Sequence, residues 1–140
     1  MTQTNMATIK PNSQSKISNL NAQIKSQEID AMVKQLNDGQ LAMAEASAKA
    51  LIIKSPKLFI LHHVLSLALD GQQKTVEAIE SYKNALKLQP NMPELLFNLG
   101  IALTQINELN DAVDCYKKAI NSKPDFFEAY GNLGTILQRQ

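Results

Sequence analysis

Residues 90–124 read PNMPELLFNLGIALTQINELNDAVDCYKKAINSKP, and two helical signatures lie inside that stretch. Leu96, Leu99, Gly100 and Leu103 recur at i, i+3, i+4 and i+7, which places them on one helical face. Ala112, Tyr116 and Ala119 repeat that spacing on a second helix, small residues alternating with one aromatic. Gly100 has no side chain, so a neighbouring helix approaches closely there, and the whole pattern suits a tightly packed antiparallel helix pair. Asn107 to Asn110 form the breaker cluster between the two helices. Pro124 closes the second helix, because proline disfavours α geometry in the residue before it.

The same spacing extends in both directions. Pro56, Pro90 and Pro124 stand 34 residues apart, and a fixed period of that length marks a stacked repeat in which each unit buries its apolar face on its neighbours. One period earlier the same phases hold His62, Leu65, Ser66 and Leu69, then Ala78, Tyr82 and Ala85. Asp70 and Gly71 are the expected breakers of that unit. The first unit is looser, with Glu28, Ala31, Met32 and Gln35, then Ala44, Ala48 and Leu51, broken at Asn37, Asp38 and Gly39. Tyr130, Leu133, Gly134 and Leu137 begin a fourth unit.

An aromatic-x-x-Leu-Gly-x-x-Tyr stretch, followed by Ala-x-x-x-Phe and a closing proline, is the signature of the tetratricopeptide repeat. Residues 25–140 resemble it in three full registers, although Glu28 stands where the family places a large aromatic. The resemblance implies an all-α, right-handed α-solenoid of stacked helix pairs, divided as 25–58, 59–92, 93–126 and a partial 127–140. Residues 1–13 are polar and expected to be disordered. Ile17, Leu20 and Ile24 sit at helical spacing and suggest a lead-in helix over 14–24 that caps the first repeat.

Composition narrows the function classes. The 140 residues are 44% apolar, which fits one globular domain, and the formal net charge is +1 from 14 basic and 13 acidic residues. That balance leaves no basic patch for nucleic acid and no polybasic membrane anchor. Aromatic residues make up 5% with no tryptophan, which argues against base-stacking platforms. No apolar run approaches a membrane span and the N-terminus lacks the core of a secretory signal, so a cytoplasmic setting is expected. Cys115 is the only cysteine, which rules out an intrachain disulfide, and it reads as a structural thiol.

Nothing in the pattern carries catalysis, and no catalytic, cofactor or metal residue is assigned. His62 and His63 are adjacent and point about 100° apart on a helix, so they do not share a metal. His62 takes the phase of the packing aromatic, while His63 turns toward the other face. There is no phosphate-binding glycine loop and no Ser-His-Asp order. Glu77 with Glu80, and Asp111 with Asp114, lie near second-helix starts, where negative charge complements the helix dipole.

In the resembled family a stripe on each first helix lines a concave groove that receives peptides. Carried onto this sequence, the stripe holds Glu94, Asn98, Ile101 and Gln105 in the third unit and Glu128, Asn132, Thr135 and Arg139 in the fourth. In the second unit it holds Ile60, Val64, Leu67 and Gly71, with His63 and Phe97 beside it, and in the first Ser26, Asp30, Val33 and Asn37. Asn98 and Asn132 each precede a Leu-Gly pair. An asparagine both donates and accepts, so a ladder of them grips a peptide backbone without regard to its sequence. Such a ladder resembles the superhelix of O-linked N-acetylglucosamine transferases, although asparagine is also simply common at this phase. Val64 and Asp30 interrupt it. Ile60, Val64 and Leu67, with Phe97 close by, form an apolar patch that a partner helix or the N-terminal segment is expected to cover. Groove positions held by Ile29, Val33, His63 and Leu67 replace the basic set with which relatives clamp acidic chaperone tails.

Two functions follow from the resemblance: a non-catalytic module that binds a peptide or helix in its groove, or the recognition arm of a larger enzyme of the O-linked glycosyltransferase or sulfotransferase type. The last segment keeps the Leu-Gly packing pattern up to Gln140 and reads as an unfinished repeat. Leu133, Ile136 and Leu137 are therefore expected to lack cover, with self-association through this end as a further expectation.

Overall fold

The computed structural model describes residues 11–140, which form seven helices and, among the described residues, no strand. They are α1 (Pro11–Asn37), α2 (Leu41–Lys54), α3 (Phe59–Gly71), α4 (Thr75–Leu88), α5 (Pro93–Gln105), α6 (Leu109–Ser122) and α7 (Phe127–Arg139). Residues 1–10, most of the segment expected to be disordered, lie outside the described residues. The expected lead-in helix is not a separate element, because α1 runs unbroken from Pro11 to Asn37. No proline or glycine follows Pro11 before Gly39, so nothing in the backbone interrupts it.

Each helix packs on the next in the chain, α1 also touches α3, and the pairs α3/α4 and α5/α6 are the most intimate. The small residues of the second helices make this approach feasible. Ala44 and Ala48, then Ala78 and Ala85, then Ala112 and Ala119 are all fully buried. Tyr82 and Tyr116 fill the space between them. A Cβ built on Gly100 would lie 2.7 Å from the Tyr116 ring, so the glycine is required by a side chain of the facing helix.

The turns inside the repeats share one construction. Gly39, Gln73 and Asn107 adopt left-handed backbone (φ 79°, 64° and 64°), and they too are spaced by the period. The following amides of Gln40, Lys74 and Glu108 donate to Gln35, Leu69 and Leu103 carbonyls at 2.9–3.0 Å. This is the Schellman closure of a helix C-terminus. In the second repeat the sequence places the break at Asp70 and Gly71, but α3 continues through both and the left-handed residue is Gln73. Asp70 stays helical and accepts a 2.8 Å hydrogen bond from the buried Tyr82 hydroxyl.

His62 behaves as a packing residue: it is buried and its Nε2 lies 2.7 Å from the Pro56 carbonyl. That contact ties α3 to the loop before it.

Candidate functional site: the first-helix groove

On the side formed by the first helices, α5, α6 and α7 enclose a pocket of about 230 Å³. Ile101, Thr104 and Gln105 line it from α5, Tyr116 from α6, and Asn132, Thr135, Ile136 and Arg139 from α7. The period brings these residues together, since 101 and 135 occupy the same phase in successive repeats. Hydroxyl, amide, phenol and guanidinium groups thus converge on one aliphatic wall. Asn132 Nδ2 stands 3.5 Å from the Tyr116 hydroxyl, while Thr104 and Thr135 donate to the Gly100 and Gly131 carbonyls at 2.8 and 3.0 Å. Burial raises the Tyr116 phenol above its ordinary range, so it stays protonated and both donates and accepts. Gln105 also accepts from Thr75 at 3.3 Å.

Toward the N-terminal half the same face becomes apolar and closes. Val64 is only 2% exposed and belongs to the core, which corrects its assignment to an open groove. The cause is α1, which packs directly on α3 and brings Ile29, Val33 and Leu36 against the same core as Ile60 and Leu67. The apolar patch expected to need a partner is thereby half-buried by the chain's own first helix. His63 is half-buried with its ring 5.4 Å from that of Phe59, and burial lowers its pKa and favours the neutral imidazole. Phe97 is wedged between Tyr116 and Phe126, with ring centroids 5.9 and 4.8 Å away.

A family model described as "TPR repeat" matches residues 72–106 and 102–140. The chain belongs to the tetratricopeptide repeat family. Solved structures share the fold at low identity. The crystal structure of MamA superposes with a TM-score of 0.79 at 19% identity, covering 91% of this chain and 74% of MamA. The first TPR of Spaghetti (RPAP3), bound to the HSP90 peptide SRMEEVD, gives 0.77 at 20% identity over 84% of this chain and 93% of that one. The Yersinia enterocolitica chaperone SycD, in complex with a peptide of the translocator YopD, gives 0.75 at 21% identity over 82% and 94%. No curated protein sequence matches the chain.

Within this tetratricopeptide stack the candidate groove residues separate into three groups. Ile101, Gln105, Asn132 and Thr135 meet in the α5–α7 pocket. Ile60, His63, Leu67 and Phe97 are half-buried in packing, and Asn98 is half-buried on α5 outside the pocket. Glu94 and Glu128 are exposed near helix N-termini, Glu94 with Lys123 at 3.5 Å. Tyr116 lines the pocket although its sequence phase reads as packing, and Thr104, which the spacing does not single out, lines it beside Gln105. Only the crossing of α6 behind α5 and α7 turns the Tyr116 hydroxyl toward the groove.

A second hollow, about 450 Å³, lies on the opposite side between α4 and α6. Leu96, Leu99, Leu103 and Cys115 form its floor and Lys83, Lys118, Asp111 and Asp114 stand among its walls. Burial pushes the Cys115 thiol up to about 11, which keeps it protonated and unreactive at neutral pH. Among the described residues no group of three or more His, Cys, Asp and Glu is placed to hold a metal ion. No described helix is long and apolar enough to cross a membrane.

Proposed function

We propose that this protein is a non-catalytic interaction module that holds an extended peptide segment along its first-helix face, with the α5–α7 pocket as the principal contact. The carrying observation is the chemistry of that pocket. Its groups donate and accept hydrogen bonds, as a peptide backbone requires, and it pairs no nucleophile with a general base. Two structural relatives of the same fold are complexes with peptides, which is consistent with this use of the surface. Asn132 is the residue on which the reading turns, and Asn98 extends the contact one repeat back.

Selection from a displayed library of random dodecapeptides supplies the probe. Asn132→Ala is expected to weaken a selected peptide roughly two- to tenfold, the loss of one net hydrogen bond of about 0.5–1.5 kcal/mol. Asn98→Ala has a similar or smaller effect, and neither changes the melting temperature appreciably. Selection that yields no binder, or a double variant that binds every selected peptide with wild-type affinity, refutes the groove as the binding surface.

A further inference from the structure

α7 is better covered than its apolar pattern predicts, since Ile136, expected to be bare, is only 2% exposed. The more informative opening is the hollow of about 450 Å³ on the side away from the groove, enclosed by α4, α5 and α6. On α6 the phases of Lys83, Leu86 and Lys87 are held by Lys117, Ile120 and Asn121, the flank that any further second helix would meet. None of those three lines the hollow.

One exchange between repeats shapes its floor. In the second repeat the His62 ring reaches from α3 to the Pro56 carbonyl, 2.7 Å from Nε2, and because a carbonyl only accepts, Nε2 is the donor. One period later the same two phases hold Leu96 and Pro90, and both line the hollow. Leucine ends short of where the imidazole nitrogen reaches and has nothing to donate. The space between Leu96 and Pro90 therefore suits a flat ring with an N–H aimed at that carbonyl.

The walls carry opposite charge. Lys83, Leu86 and Lys87 line it from α4 at i, i+3 and i+4, while Asp111, Asp114, Cys115 and Lys118 line it from α6 at i, i+3, i+4 and i+7. Burial apart, the charges that act on the Cys115 thiol are those of Lys118, Asp111, Asp114 and Lys83, so both walls bear on the same space. Yet among the described residues none of these lysines and aspartates forms an ion pair, whereas Lys49 and Lys74 pair with Glu45 and Lys123 with Glu94. Unpaired walls of opposite sign above an apolar floor fit a molecule that carries both charges and bridges them. A free amino acid bears both on the carbon nearest its side chain, and a residue inside a peptide bears neither.

We propose that the hollow binds a free aromatic amino acid with a ring N–H, of which tryptophan is the type. The indole lies on Leu96 and Leu99 with its N–H on the Pro90 carbonyl. The carboxylate faces Lys83 and Lys87, and the ammonium faces Asp111 and Asp114. This site is separate from the peptide groove and does not depend on it.

Calorimetric titration of the 140-residue protein with L-tryptophan, tryptamine and indole-3-propionate tests the ring and both charges. Tryptophan is expected to bind with a dissociation constant below about 1 mM. Each analogue, lacking one charge, binds roughly three- to tenfold more weakly. Lys83→Gln with Lys87→Gln weakens tryptophan and indole-3-propionate but not tryptamine. Asp111→Asn with Asp114→Asn weakens tryptophan and tryptamine but not indole-3-propionate. All four positions are exposed, so both double variants keep the wild-type circular dichroism and melting temperature. Leu96→His, which restores the ring of the second repeat, blocks tryptophan. No saturable tryptophan binding at millimolar concentration, equal affinity for all three compounds, or double variants that bind all three like the wild type would each overturn the proposal.

Discussion

Glu45 ties the first repeat to the second through one carboxylate. Its oxygens accept from Lys49 at 2.6 Å, Lys74 at 2.9 Å and Gln72 at 2.9 Å, and its side chain is 12% exposed. The hydrogen bond from Lys49 and then that from Lys74 hold its pKa down from 4.5 to about 2, against the opposing effect of burial. A carboxylate depressed in the folded state stabilises fully above its unfolded pKa, and that contribution disappears as pH falls through the folded value. The window is thus roughly pH 4.5 down to 2. Glu45→Gln is expected to lower stability at pH 7 by about 1 kcal/mol, a modest figure because both lysines are solvent-exposed. Urea unfolding at pH 7 and pH 2.5 should show the difference between variant and wild type shrinking at the lower pH. Equal stability at pH 7 would show that the cluster contributes nothing.

The helices are terminated by a shared turn whose demands are met unequally. Each repeat needs one left-handed residue, and the three positions hold glycine, glutamine and asparagine. Glycine adopts that backbone without steric cost, asparagine tolerates it, and glutamine is strained there. Gln73→Gly is expected to stabilise the protein by about 0.5–1 kcal/mol, relief of the αL penalty outweighing the entropy that glycine loses. The melting temperature of the variant checks this, and a lower value would mean that the Gln73 side chain supports the turn. The α1 helix shows the converse case. It extends well past the length of α2, and Ser15, Lys16 and residues 18–23 are exposed, so these residues gain little from tertiary packing.

Because each helix pair contacts only its neighbours, stability is close to a sum of repeat and interface contributions. Gly100 lies against the buried Tyr116 ring, where an added Cβ would come within 2.7 Å of it. Gly100→Leu is expected to cost about 1–3 kcal/mol by overpacking. The damage should be local: amide exchange accelerates across α5 to α7 and much less across α2 to α4. Uniform acceleration would mean that the stack opens as one unit, and an unchanged melting temperature would remove the packing role assigned to Gly100.

Period and packing phase were legible from residue types alone, because the second and third repeats bury Leu65 and Leu99, Ala78 and Ala112, and Tyr82 and Tyr116 alike. A side chain that must be small, or must be apolar, announces itself in one dimension. The turn at Gln73 was hidden because the backbone there is dictated by the helix it closes and not by the residue that occupies it. The groove was only half legible. Spacing placed Ile101, Gln105, Asn132 and Thr135 on matching phases, yet whether a phase is open depends on what lies across from it. Val64 and Asn132 hold equivalent positions. One is sealed because α1 supplies Ile29, Val33 and Leu36, and the other faces a pocket because α5 supplies Thr104 and Gln105. Ile136 shows the same dependence, since its burial comes from the repeat before it. A sequence read along one chain records each helix's own preference for burial. Cover is a property of two elements at once, and only their packing in space assigns it.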